Sequence, residues 1–304
     1  SLGGRGPCPS YSGCTRNKTE CRKRRHAYRK KTELGREMVD VFRGWIGERR
    51  LLLSMDCAYC NSTVMRGLPA SVVVFGSMRP DAVLTEPPAG NSKRKSGRPP
   101  VRGQLLPKPE KVAKDDRVPW QPCKATLYGK KQTVRFKQIR AQWYRATGPR
   151  LLKIIVERID SGNIGLRVFF CTDPSLSVRE ILEGYGIRWS IEVCFRELKQ
   201  LLGFADSSAR KKAAVERTAP FVGFIYTVLV LWFMQGVHQT AIATPPLRPW
   251  YTHKSGLSFG DVLRAAQRAL VPLDVLDPAR SLDNLRSIEK PVAPAPRNRL
   301  RRAA

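Results

Sequence analysis

The sequence predicts an α/β protein. Three observations carry this: two short aliphatic runs of strand type lie between residues 51 and 75, three further strand-like segments are gathered between 132 and 171, and helical periodicity stands before and after them. A chain of 304 residues with 42% hydrophobic content is long enough to bury a sizeable core, as one large domain with an insertion or as two smaller ones.

Residues 1–34 are rich in Gly, Ser, Cys and basic residues, with Arg22, Lys23, Arg24 and Arg25 as one charge run and Arg29, Lys30 and Lys31 as another. Without a hydrophobic period they read as a flexible basic arm. A helix follows, because Met38, Val41, Phe42, Trp45 and Ile46 recur at helical spacing. Leu51–Met55 is a buried strand ending at Asp56, and Ser71–Phe75 is a second, closed by Gly76; these open an α/β core over 35–85. From Glu86 to Pro119 the chain is rich in Pro, Gly, Lys and Arg with nothing periodic, which predicts a long loop. The strands Gln132–Arg140, Leu151–Ile159 and Ile164–Cys171 then make 86–171 a loop followed by a β-rich insertion.

Helical pattern resumes at Ser177 and runs through Gln200, with a break expected near Gly184 and Gly186, and 172–240 reads as the remaining helices of the core. The uncharged run Ala219 to Met234 is shorter than the roughly 20 apolar residues that span a bilayer and contains Pro220, Gly223 and Thr227, so it predicts a buried core helix. In 241–304 one modest helix shows Val262, Leu263, Ala266 and Leu270 on one face, and a Pro/Arg-rich tail closes the sequence.

Charge narrows the function. Lys and Arg number 55 against 25 Asp and Glu, a formal net charge of +30, and the basic residues recur from Arg5 to Arg302. Such an excess repels itself unless a polyanion neutralises it, and its spread suits a long phosphate backbone better than one small ligand. The eight cysteines accompany a polar, basic beginning with no apolar signal segment, so reduced thiols in a cytosol are expected. Cys57 and Cys60 have the C-x-x-C spacing of a zinc half-site, but a zinc site needs a second pair and no second C-x-x-C exists.

At 100° per residue Tyr185, Arg188, Glu192 and Lys199 fall at about 0°, 300°, 340° and 320°, one stripe about 60° wide. Ile187, Ile191, Cys194, Leu198, Leu201 and Leu202 make an opposite, apolar face expected to pack on a core. Spacing alone is equally that of a solvated charged face. The order Tyr185-x2-Arg188-x3-Glu192-x6-Lys199, however, resembles the Y-R-E-K signature of a superfamily of bacterial DDE-type insertion-sequence transposases, as does the surrounding segment from Tyr185 to Gln200. Upstream, Met55-Asp56-Cys57-Ala58-Tyr59 is similar to that family's D-x-A-Y turn, and the resemblance runs in the family's order from about Leu34 to Trp232.

The resemblance implies a ribonuclease-H-like fold, a mixed sheet flanked by helices with a β-rich insertion before the Glu-bearing helix. It implies Asp56 and Glu192 as catalytic, metal-holding carboxylates for Mg²⁺ (or Mn²⁺), and Tyr185, Arg188 and Lys199 as DNA-contacting groups. Two cations about 4 Å apart activate the attacking oxygen and stabilise the leaving oxygen of a phosphodiester. The implied activity is strand cleavage and strand transfer, the implied partners are element ends and target DNA, with no membrane and with a homo-oligomer compatible, and the implied location is cytoplasmic and DNA-associated. One feature departs: the family's first aspartate sits on the opening strand, and here only Asp40, inside a helical pattern, precedes Asp56. Asp173 is a strand-end acid where the family has a non-catalytic turn. The expectation is a chain lacking its N-terminal part, with impaired cleavage. The alternatives are a non-catalytic DNA-binding remnant and a basic membrane-associated protein that uses the run Ala219 to Met234.

Overall fold

The computed structural model describes residues 18–23, 27–88, 100–158, 165–243 and 256–270. They fall into two compact units, one within Thr15–Glu192 and the other from Val193 onward. In chain order the first unit contains α1 (Lys18–Lys23), α2 (Lys31–Ile46), β1 (Leu51–Met55), α3 (Ser62–Met65), β2 (Val72–Ser77), α4 (Pro109–Lys114), β3 (Gln121–Leu127) and β4 (Lys130–Gln142). It continues through α5 (Tyr144–Thr147), β5 (Leu151–Arg158), β6 (Leu166–Cys171) and α6 (Val178–Gly186). A 3-10 turn, Ile187–Trp189, leads into α7 (Ser190–Leu201), and α8 (Lys212–Met234) and α9 (Phe259–Leu270) follow in the second unit.

All six strands form one mixed sheet in the order β1-β2-β6-β5-β4-β3, with β1 and β2 parallel and every other pair antiparallel. The α/β class with a helix-flanked mixed sheet is as the sequence predicts. The four strands β3–β6, which precede the Glu-bearing helix, lie in the same sheet as β1 and β2. β2 is apolar on both faces because both are covered: Val72 and Val74 join Ile154, Phe170 and, from α2 and α3, Val39 and Val64, while Val73 and Phe75 join Ile155, Phe169 and Ile181 of α6.

Several elements differ from expectation. Gly76 continues β2: a Cβ there would lie 2.5 Å from Phe170 Cζ and 2.7 Å from Cys60 Sγ, so the glycine allows close approach and does not end the strand. β3 was not expected; only Ala125 and Leu127 are buried on it, and it pairs with β4 through the turn Tyr128–Gly129, both at positive φ. The stretch Glu86 to Pro119, expected as loop, contains α4. Lys137, buried on β4, donates to the α4 carbonyls of Val112 and Ala113 at 3.1 and 3.2 Å and to Asp115 O at 2.8 Å, and lies 4.7 Å from the Trp120 ring centre. The ammonium thereby answers the orphan carbonyls and negative end of that helix. α2 begins at Lys31, earlier than expected, its first turn held by Glu33 accepting from Lys30 N–H at 2.9 Å. Ile159 and Ile164, residues 1–17 and the tail beyond 270 lie outside the described residues.

In the second unit Phe233 of α8 packs with Phe259, Val262 and Ala265 of α9, and Tyr226 stacks on Phe259 at 4.3 Å. The rest corrects the expected buried core helix: Phe221, Phe224, Val228, Leu231 and Met234 are exposed. The helix also starts at Lys212, before the apolar run, and is long and apolar enough by length and composition to cross a membrane. Leu270 of α9, expected on the packed face, is exposed.

Candidate functional site

Asp56 follows the last residue of β1 and caps the 3-10 turn Cys57–Tyr59, its Oδ1 accepting from Cys57 N–H at 2.7 Å. A short acid at a strand end suits this cap, and the carboxylate remains exposed. Beneath it Cys60 is buried, its thiol donating to Asp56 O at 3.3 Å. Burial pushes the Cys60 thiol up to about 12, and burial and then the Asp56 charge push the Cys57 thiol up, while the Arg79 guanidinium acts the other way on Cys57. Both are thereby held in the thiol form. Cys21, Cys57, Cys60, Cys123, Cys171 and Cys194 are all free.

The expected stripe is not one straight helix. α6 is started by a capping box in which Ser177 Oγ accepts from Glu180 N–H and Glu180 accepts from Ser177 N–H, and the 3-10 turn Ile187–Trp189, flanked by residues in right-handed helical conformation, then leads into α7. Tyr185, at the end of α6, is half-buried, with its ring 4.6 Å from that of Phe169. Its hydroxyl donates to Ser77 Oγ at the end of β2, at 3.2 Å, and its carbonyl accepts from Ser54 Oγ of β1 at 3.3 Å. Arg188 lies 5.8 Å from the Tyr185 ring centre and 3.0 Å from Glu192. Burial opposes the Arg188 charge, but Glu192 and Tyr185 outweigh it and hold the guanidinium above its ordinary value. Its Nε is buried without a hydrogen-bond partner among the described residues.

Tyr185, Arg188 and Glu192 thus form one connected group, tied to β1 two residues before Asp56. Lys199 is exposed, further along α7 and in the second unit. A groove of ≈ 630 Å³ runs beside this group, lined by Leu52, Ser54, Gly184, Ile187 and Arg188 among others. The apolar face expected to pack is largely open: Ile187 is 67% exposed, Ile191 54% and Leu201 45%, whereas Leu198 is buried. Ser54, Ser77 and Arg79 were not singled out from the sequence, since serines and an arginine near strand ends carry no periodic signal. Asp40 pairs with Arg36 at 2.9 Å on α2, and Asp173 pairs with Arg50 at 2.5 Å, so each has a partner of its own.

A family model for DDE superfamily endonucleases matches residues 10–147, a span that includes Asp56. A second, described as archaeal putative transposase ISC1217, matches residues 146–239 and includes the segment from Tyr185 to Lys199. Together the two consecutive matches run from residue 10 to 239 in a single order. The two matches support a DDE insertion-sequence transposase. No curated protein matches it. Among the described residues of this transposase, no group of three or more His, Cys, Asp or Glu side chains could hold a metal ion.

Proposed function

We propose that this transposase chain binds DNA along the strand ends bearing Asp56, with Arg188 and Lys199 facing phosphates and Tyr185 fixing Arg188 in place. The observation that carries this reading is the Arg188 guanidinium, held between the Tyr185 ring and Glu192. An arginine held in this way is poised for phosphate oxygens. The setting is that of a cytoplasmic, DNA-associated protein acting on insertion-element ends and target DNA.

For strand cleavage and transfer, Asp56 and Glu192 are the carboxylates that would hold Mg²⁺ or Mn²⁺. Two carboxylates and a substrate phosphate fit one hydrated ion. A two-ion site needs a further ligand, and no cluster of three supports it among the described residues. When bound, such an ion would polarise the phosphodiester and activate an attacking oxygen. The chain's own residues position the backbone: Ser54 and Ser77 lock the turn that carries Arg188 against β1 and β2.

The β1 edge of the sheet has room for a further strand. Among the described strands β1 pairs with β2 only, and Leu52 on β1 is 59% exposed. Met38, Phe42 and Trp45 of α2 are 60%, 47% and 77% exposed. A strand carrying the first aspartate would find unpaired backbone there. The reading is therefore of impaired cleavage with DNA binding retained, and the non-catalytic remnant is the second form of the same reading.

The test is a nicking assay on element-end DNA with Mg²⁺. Binding with little or no cleavage is expected, because loss of the third carboxylate costs several kcal/mol of transition-state stabilisation, on the order of a thousandfold in rate or more. Cleavage that both Asp56→Ala and Glu192→Ala abolish would show that the chain has another third ligand.

A further inference from the structure

The first unit carries a second basic cluster, remote from Asp56. Arg66, the residue that ends α3, donates through Nη2 to Tyr144 O at 3.2 Å and lies 5.7 Å from the Tyr144 ring centre. Arg102 lies 5.3 Å from the same ring centre. Arg145 is the next residue of α5 and is exposed, as are Arg66 and Arg102. None of the three makes an ion pair among the described residues. The nearby Asp40 is taken by Arg36, whose guanidinium also donates to Val64 O and Arg66 O and so braces the end of α3.

Topology sets this cluster apart. β1 and β2 are parallel, so α3 returns the chain to the sheet end opposite Asp56, and α5 joins the end of β4 to the start of β5 at that same opposite end. Val64 and Met65 of α3 pack on the sheet face that holds Val72 and Val74, whereas Tyr185 packs on the other face with Phe75 and Phe169.

We infer that Arg66, Arg102 and Arg145, arranged about Tyr144, form a second nucleic-acid contact that takes the phosphodiester backbone of a DNA segment other than the one at Arg188. The inference rests on the DNA-binding reading and adds its second site. Three guanidiniums without carboxylate partners among the described residues form a local positive field, which a phosphate backbone relieves by releasing its condensed counterions. The Tyr144 ring holds the Arg66 and Arg102 guanidiniums, and the Tyr144 carbonyl holds Arg66 as well, so these two lose little side-chain freedom on binding. With no base-reading element in the cluster, contact is independent of sequence.

The experiment is a salt titration of binding to a fluorescein-labelled 30-base-pair duplex of arbitrary sequence, followed by anisotropy. Arg102→Gln/Arg145→Gln removes two charges whose side chains make no backbone hydrogen bond among the described residues, so the fold is spared; Arg66→Gln and Tyr144→Ala are compared with it, each checked by thermal unfolding. With about 0.9 of slope per phosphate contact, the double variant flattens the log–log salt dependence by about two and weakens binding at least tenfold at 0.1 M salt. Combined with Arg188→Gln, the losses add. A double variant with the unaltered slope, while Arg188→Gln alone flattens it, overturns the second contact and leaves DNA binding standing, as does rescue by duplex competitors of a cluster that instead captures an acidic peptide. No binding by the unaltered protein overturns both readings.

Discussion

The Tyr185 hydroxyl donates to Ser77 Oγ at 3.2 Å, joining the end of α6 to the end of β2. This bond, with Ser54 Oγ on the Tyr185 carbonyl, fixes the turn from which Arg188 projects. Tyr185→Phe keeps the ring on Phe169 and loses one hydrogen bond, so urea unfolding should show a loss of about 1 kcal/mol. Tyr185→Ala removes the ring as well and should cost more, about 3 kcal/mol. DNA affinity should follow the ring, falling clearly in Tyr185→Ala and by no more than about twofold in Tyr185→Phe. A Tyr185→Phe variant that loses DNA binding as fully as Tyr185→Ala would assign the hydroxyl to the DNA and not to Ser77.

Acid should loosen α6 from the sheet. Glu183 is held below the usual carboxylate range by the Thr126 N–H and then by Arg179, and Glu180 is held below it by the Ser177 hydroxyl and N–H. Folded values below the unfolded ones mean that the stabilisation is present above the ordinary value of about 4.3 and is lost as pH falls through it toward the folded values. Hydrogen exchange at the Thr126 amide, which donates to Glu183 at 2.8 Å, should therefore speed up below about pH 4 beyond the intrinsic trend. Protection that persists unchanged to about pH 3, or an equal response in Glu183→Gln, would count against this.

Gly76→Ala should destabilise the first unit by about 1–3 kcal/mol in chemical denaturation, since the new methyl overlaps the Phe170 ring and the Cys60 sulfur in a packed layer. The same change at Gly44, where nothing lies within 4 Å, serves as the control and should be neutral or stabilising by propensity. Equal effects at the two positions would refute the close-approach account.

For α8, peripheral or DNA-bound behaviour predicts that high salt with nuclease releases the protein from a membrane pellet. The window Ala213–Met234 has mean hydropathy 1.5, so a spanning helix is the opposing outcome, and a pellet resistant to both salt and alkaline carbonate would establish it.

The strands that can be read from the residues are the ones buried on both faces. Val72, Val73, Val74 and Phe75 are all apolar because helices cover both sides, and the run is visible without its neighbours. β3 is hidden because it is an edge strand: Ala125 and Leu127 alone face inward, and Pro122 interrupts it. Periodicity likewise tells which residues share a face but not what covers it. Met38, Phe42 and Trp45, and again Ile187 and Ile191, share helical faces as expected, yet all five are exposed. In the candidate site Tyr185, Arg188 and Glu192 are legible because one helical stretch carries them; Ser54 and Ser77 come from two strands and meet only through the sheet.

The open side of β1 also bears on how copies of this transposase behave together. A strand edge that bears the exposed Leu52 and is unpaired among the described residues is a template for pairing with another chain, and no proline or inward charge blunts its five residues. What opposes this is the net charge of +30, whose repulsion reaches about 8–10 Å at ordinary ionic strength. DNA removes that repulsion by neutralising the charge. If the chain binds DNA as proposed, polyanion binding and pairing at the sheet edge would be linked, and colloidal stability is expected to be lowest at partial DNA saturation, when charge is cancelled and edges remain free to meet.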